Sequence, residues 1–187
     1  MPKQVDHAQR REELAGALWR LVMREGIEAA SLRRVAAEAG WSMGSLRHYF
    51  ETQPDLLAFA MELVVERVNE RVSTLDPEAP PRRIAEGLLH QVLPLDPERC
   101  AEMQVWLAFT TRALVDPRLR ELRDGAHEAL RGLCRNAVEL LGADDPEREA
   151  ERLHALVDGL ALHAVHAPDV TTPERQVELL AAHLDSL

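Results

Sequence analysis

The chain has 187 residues, of which 46% are hydrophobic and only 4% aromatic, a balance that allows a buried core and favours helices over strands. Its net charge of −10 by itself disfavours a nucleic-acid partner, but residues 1–50 hold eight basic and six acidic side chains, so the acidic excess lies in the remainder. The amino terminus lacks the apolar segment of a signal peptide, and no apolar run reaches the roughly 20 residues of a membrane span, which predicts a cytoplasmic protein without membrane contact.

Apolar residues recur at helical spacing between proline and glycine breaks, and we find no alternating run typical of a strand. The sequence therefore predicts an all-α fold of about nine helices. The predicted helices span residues 7–25, 32–39, 43–49, 53–75, 81–93, 97–114, 117–141, 146–166 and 173–186.

The segment from Ser31 to Phe50 has the pattern of a helix-turn-helix motif. Ser31 and Ser42 each stand where an N-cap is expected before a short helix, and Gly40 lies between the helices, where the turn needs a conformation that is costly for other residues. Leu46 returns to the core, while Met43, Ser45, Arg47 and His48 face away from it. This arrangement is typical of a recognition helix that enters the major groove of DNA.

Three consecutive segments of this head, SLRRVAAEAG, WSMGSLRHYF and ETQPDLLAFAM, follow one another in a characteristic order and spacing. Over residues 8–60 they resemble the TetR family of transcriptional regulators. The resemblance implies a helix-turn-helix DNA-binding domain at residues 1–52 and a helical regulatory and dimerisation domain at residues 53–187. It implies a ligand-responsive regulator, by family default a repressor, and not an enzyme.

The resemblance also implies which head residues contact DNA, and Arg47 is the strongest candidate to read a guanine. The residues carried over are Ser31, Arg33, Ser42, Met43, Gly44, Ser45, Arg47, His48, Tyr49 and Thr52. Many family members have a lysine where this chain has Gln53. A neutral amide gives a weaker phosphate contact, so we expect a shallower salt dependence of DNA binding.

For the body, the family resemblance implies a cavity for an effector that releases the protein from DNA. Side chains on the central helices could line such a site for a small, partly apolar molecule, although plain core packing is the alternative for each of them. The candidates are Trp106, Phe109, Thr110, Met103, Leu89, Val92, Leu93, His90, Cys134, His127 and Arg123. Trp106 is the favoured one, because its indole N–H needs a partner and its ring offers a stacking surface.

The last two long helices are the expected dimer interface, with small residues such as Gly159 and Ala161 allowing close helix approach. The predicted contact residues are Leu153, Leu156, Val157, Leu160, Ala164, Val177, Leu180 and Leu184. The alternative is that both helices pack inside one monomer. We favour a homodimer, because two heads about 34–36 Å apart can read a palindromic operator on double-stranded DNA.

Other function classes remain as alternatives. Cys100 and Cys134 could give a redox input, although nothing marks either thiol as activated. His163 and His166 share a helical face near Asp169, but a firm further ligand is missing, so we expect neither metal nor cofactor. Sequence motifs of hydrolases, metalloproteases and nucleotide-binding enzymes are absent. A helical adaptor that binds protein instead of DNA is the remaining alternative.

Overall fold

The computed structural model describes residues 7–187, and this part of the chain forms nine α-helices and two short 3-10 turns, with no strand. The all-α prediction is thereby confirmed. The helices are α1 (His7–Glu25), α2 (Leu32–Ala39), α3 (Met43–Arg47), α4 (Gln53–Ser73), α5 (Pro81–His90), α6 (Pro97–Ala113), α7 (Arg120–Leu140), α8 (Pro146–His166) and α9 (Pro173–Leu184), with the 3-10 turns at Ile27–Ala29 and Pro117–Leu119.

Six helices, α3, α4, α5, α6, α7 and α9, differ at one or both ends from their predicted bounds. Helix α3 ends at Arg47, because the N–H groups of His48 and Tyr49 donate to carbonyls three residues back and tighten the last turn. Helix α5 ends at His90 instead of residue 93. Helix α7 begins at Arg120, because Asp116 accepts from the N–H of Arg118 and holds the preceding residues in a 3-10 turn.

The buried apolar side chains form two clusters. The first joins α1, α2, α3 and α4 to α6, with Leu18, Leu46, Val105 and Phe109 excluded from solvent. The second joins α5, α7, α8 and α9. The head therefore packs directly on α6 of the body. The division of the chain at residues 52 and 53 stays a prediction, and the first six residues of the predicted head lie outside the described residues.

Polar contacts reinforce the joint between head and body along α4. The guanidinium of Arg67 lies 4.1 Å from the ring centroid of Trp19 in α1 and also pairs with Glu98 in α6. Arg11 in α1 pairs with Glu66 in α4 at 2.9 Å. Helix α4 thus contacts the head along one face and the body along another.

Candidate nucleic-acid interface and effector cavity

The helix-turn-helix owes its shape to local caps and one left-handed residue. The hydroxyl of Ser31 accepts from the N–H of Arg34 at 3.4 Å, and that of Ser42 accepts from the N–H of Ser45 at 3.1 Å. Gly40 has a φ of 71°, which is costly for residues with a Cβ. Leu46 is fully buried and anchors α3 on the core, so the opposite face of α3 points outward.

Six of the ten predicted DNA contacts lie in α3 or at its two caps, Ser42 and His48. Gly44, Arg47 and His48 are exposed, whereas Met43 is half-buried. The hydroxyls of Ser42 and Ser45 lie 3.0 Å apart and hydrogen-bond to one another. Whichever hydroxyl donates, the pair keeps a free O–H donor and spare acceptor capacity, so it can hydrogen-bond to a base or to a bound water.

Most arginines of the head are held in ion pairs. These pairs are Arg20–Glu38, Arg24–Glu38, Arg34–Glu25, Arg11–Glu62 and Arg11–Glu66. Arg33 on α2 and Arg47 on α3 are exposed and form no ion pair with any residue between 7 and 187. Among the described arginines of the head, Arg10 on α1 is the other one without an ion pair, and it lies over Trp41 next to α3, so the unpaired positive charge lies on and beside the helix-turn-helix.

An aromatic corner beside α3 was missed in the sequence. The rings of Trp41 and Tyr49 meet edge to face with centroids 5.4 Å apart, and the guanidinium of Arg10 lies 5.1 Å from the ring centroid of Trp41. His7 contacts Tyr49 with ring centroids 6.5 Å apart. Tyr49 is thus half-buried in a contact that brings two basic side chains of α1 next to the recognition helix. The basic residues of the amino terminus were the only signal available for it.

The start of α4 is fixed on both sides of its N-cap. Thr52 and Asp55 form a capping box in which each side chain accepts from the backbone N–H of the other. The Gln53 amide donates to the carbonyl oxygen of Ala30 at 2.6 Å. Gln53 thus connects α4 to the loop before α2, a contact that the sequence did not predict.

The body contains a cavity of about 400 Å³ between α4, α5, α6, α7 and α8. Its wall is mostly aliphatic, and Trp106 supplies the aromatic surface. Met103, Trp106 and Val92 are the sequence candidates that line it. The volume falls within the range typical of small-molecule sites.

The other candidates for the effector site lie elsewhere. Four of them are fully buried in the apolar clusters: Leu89, Leu93, Phe109 and Cys134. Two more, His90 and Thr110, are half-buried but do not line the cavity. His127 packs on the ring of His154, and Arg123 pairs with Asp124. The expectation that these side chains line the cavity is thereby corrected. The physical reason is that helical periodicity distinguishes inward from outward positions, but not a filled interior from a hollow one.

Several charged side chains also line the cavity, and two of them have partners. Glu102 is buried and accepts from Arg71 at 2.6 and 2.8 Å. Burial raises the pKa of Glu102 above its usual range even though Arg71 opposes the shift. Arg99 donates to Asp96 at 3.0 Å and to the carbonyl oxygen of His90 at 2.6 Å.

Neither cysteine has the environment of an activated thiol. Burial raises the pKa of Cys134 to about 12 and also raises that of Cys100, mainly by desolvation. Both therefore stay protonated near neutral pH, which disfavours reaction with oxidants. The redox alternative receives no support from these surroundings.

The predicted dimer residues point mostly into the protomer. Leu153, Val157, Leu160, Ala164, Leu180 and Leu184 are buried within the single chain, and Leu156 and Val177 are half-buried. The periodic apolar stripe of α8 and α9 thus packs in the second apolar cluster, the alternative left open above. The outer face of these helices instead presents Ala155, Gly159, Leu162 and Ala182.

Across residues 7–187, no group of three or more histidine, cysteine, aspartate or glutamate side chains is placed to hold a metal ion. In the same part of the chain, none of the helices combines the length and apolar character needed to span a membrane.

Comparison with known proteins adds two family matches that together include both the head and the body. The model of bacterial regulatory proteins of the tetR family matches residues 15–67, and that of the C-terminal domain of BetI-type transcriptional repressors matches residues 81–187. The HTH-type transcriptional regulator PksA of Bacillus subtilis (strain 168) is 42% identical over 167 residues, which span 84% of this chain and 80% of PksA.

Solved structures agree with this match. A transcriptional regulator from Rhodococcus sp. Rha1 is 35% identical and superposes with a TM-score of 0.80 over 94% of each chain. The multidrug binding protein EbrR, solved in complex with imidazole, is 28% identical, with a TM-score of 0.68 over 98% of this chain and 93% of EbrR.

Proposed function

We propose that this chain, which belongs to the TetR family of transcriptional regulators, is a repressor that binds a palindromic operator as a homodimer and is released by a small, partly apolar effector. Its relatives and families are DNA-binding regulators, so the chain is a regulator and not an enzyme.

The distribution of unpaired charge is the observation that supports the proposed DNA-binding surface. Arg33 and Arg47 are free of acidic partners among the described residues, whereas Glu25 and Glu38 neutralise the neighbouring arginines of α1 and α2. We assign Arg33 to a phosphate and Arg47 to a base edge in the major groove. The acidic body then repels DNA from everywhere except the head.

The outer face of α8 and α9 supports a dimer. On this face Leu162 is a large apolar side chain that keeps 41% of its surface exposed, next to the small residues Ala155 and Gly159. A Cβ added to Gly159 would meet nothing within 4 Å, so a partner helix can approach this position closely. A second copy packed on this face would form a four-helix bundle and place two heads on one side of the duplex.

Helix α4 supports a mechanical switch. Its residues from Met61 to Val72 line the cavity, while its first turn is bound to the head through Gln53 and Ala30. An effector that binds more tightly to one position of α4 would change the distance between the two heads. The imidazole complex of EbrR supports a body of this kind as a small-molecule site.

Fluorescence anisotropy with DNA from upstream of the protein's own gene tests this proposal. Arg47→Ala should weaken specific binding by roughly 1–3 kcal/mol, and Arg33→Ala should lower the slope of log affinity against log salt by about one. The control is Arg83→Ala, which removes an exposed arginine of α5 that pairs with no acidic residue between 7 and 187 and should leave affinity unchanged. Equal losses in all three variants would refute the assignment, and no shift with any upstream fragment would favour the protein-binding adaptor.

Light scattering tests the dimer separately. The wild-type protein should have twice the 21.0 kDa mass of the chain at micromolar concentration. Leu162→Glu should yield monomer, whereas Val115→Glu, which charges an exposed apolar residue outside α8 and α9, should not. A monomeric wild-type protein contradicts this part of the proposal.

A further inference from the structure

The charges that line the cavity do not balance one another. Glu102 is compensated by Arg71, and Arg99 is compensated by Asp96. Asp158 on α8 is the remaining ionisable group of the lining; half of its side chain is exposed, and no arginine or lysine between residues 7 and 187 pairs with it. The cavity therefore has one uncompensated carboxylate and no free cation among its described lining residues.

The neighbour of Asp158 does not supply the missing positive charge. The Nε2 atom of His154 lies 3.5 Å from the carboxylate, yet forms no hydrogen bond and is buried. Burial lowers the pKa of His154, and the ring of His127 packs against it with centroids 4.7 Å apart. Burial also raises the pKa of Asp158, and a neutral imidazole leaves this carboxyl without a cationic partner, so a bound cation would favour its ionised form.

Two further polar side chains line the cavity without a partner. The amides of Asn69 on α4 and Asn136 on α7 are exposed and make no side-chain hydrogen bond within the described chain, in contrast to Gln91, which bonds to Arg71 and to the Gly87 carbonyl. Amide and carboxylate oxygens both accept hydrogen bonds. The free polar groups of the cavity are thus suited to a ligand that donates several.

We infer that the effector is a protonated amine with an apolar tail, whose ammonium N–H groups donate to Asp158 and whose tail packs on Trp106 and the aliphatic wall. This inference rests on the proposed function, since it names the chemical class of the same effector. An anion is disfavoured because Arg71 and Arg99 are already bound to carboxylates.

The lining also distinguishes between kinds of cation. Quaternary ammonium groups have no N–H and are recognised by cages of several aromatic rings. Trp106 is the only aromatic side chain among the described lining residues, so such a cage is absent. A primary or secondary ammonium gains charge-assisted hydrogen bonds that a trimethylated nitrogen cannot make.

Isothermal titration with three ligands of equal chain length tests the inference on the full-length protein. Octylamine should bind, while octanoate and octyltrimethylammonium should bind at least about tenfold more weakly. Asp158→Asn should weaken octylamine binding roughly tenfold to a hundredfold. Asp144→Asn, which removes an exposed carboxylate outside the cavity, should change nothing.

Three results would overturn the inference: equal or tighter binding of octanoate or of the trimethylated analogue, unchanged octylamine affinity in Asp158→Asn, or no octylamine binding at millimolar concentration. The ligand series on wild-type protein keeps the test valid even if Asp158→Asn folds poorly. DNA binding without ligand is measured separately, so a failure of the regulator proposal is seen there and not in the titration.

Discussion

The pair of Arg71 and Glu102 joins α4 to α6 beside the cavity, and its removal should destabilise the fold strongly. The Glu102 side chain is only 6% exposed and accepts two hydrogen bonds from Arg71, at 2.6 and 2.8 Å. Arg71 also donates to the backbone and side-chain oxygens of Gln91. Arg71→Met keeps most of the aliphatic stem and removes every one of these donors.

The magnitude follows from the burial of the two partners. Breaking one side of a buried ion pair costs about 3–5 kcal/mol, because the other charge stays buried without compensation. Arg71 keeps 28% of its side chain exposed, so water can reach the vacated site, and we expect about 3 kcal/mol. Arg135→Met is the control: its pairs with Glu139 and Glu147 are about half exposed on both sides, so its loss should cost much less than that of Arg71.

The pH dependence of this cost has a definite sign. Burial raises the pKa of Glu102 in the folded protein, and removal of Arg71 raises it further. A carboxyl whose folded pKa exceeds its unfolded value stabilises the fold below the unfolded pKa and loses that contribution as the pH rises through the folded pKa. The loss in free energy of unfolding caused by Arg71→Met should therefore decrease as the pH falls towards the ordinary pKa range of glutamate. The double variant with Glu102→Gln should not show this pH dependence.

Urea denaturation followed by far-UV circular dichroism, at one fixed protein concentration, measures these free energies. A cost below about 1 kcal/mol for Arg71→Met, or a deficit that grows as the pH falls, would show that Glu102 is not a buried charge held by Arg71.

Two further predictions concern the turn and the thiols. Gly40→Ala should destabilise the head by about 1–2 kcal/mol in the same urea assay, because the φ of residue 40 is 71°. No neighbouring atom lies within 4 Å of an added Cβ, so the cost is purely conformational. Gly44→Ala, at an ordinary helical φ, is the control, and equal destabilisation by both substitutions would contradict the reasoning. Cys134 should not react with a thiol reagent in the native protein, because its pKa is about 12 and it is fully buried. Labelling of Cys134 before the protein unfolds would contradict this prediction.

Local signals explain why the helices and the helix-turn-helix could be predicted from the sequence. Ser31, Ser42 and Thr52 are N-caps in the structure, and Gly40 occupies the left-handed turn, because each of these features depends on residues only a few positions away. The same locality explains the inward position of Leu46, which depends on helical spacing alone.

The cavity and the outer face of the body depend on which helix packs against which, and that information is not local. Phe109 and Trp106 lie three residues apart on α6, yet one fills the first apolar cluster and the other lines the cavity. Apolar periodicity marks both as candidates for burial but cannot say which contacts a neighbour within the chain.

The positions of the unpaired charges also depend on contacts between helices, and not on local sequence. The slight basic surplus of the first fifty residues did not reveal which cations are available, since Glu38 pairs with both Arg20 and Arg24, which lie on a different helix. Among residues 7–187, ion pairing across α1 and α2 leaves Arg10, Arg33 and Arg47 without acidic partners, and in the cavity it leaves Asp158 without an arginine or lysine partner. Recognition of an anion at one end and of a cation at the other thus depends on which charges the fold leaves unpaired, and not on the net charge of either region.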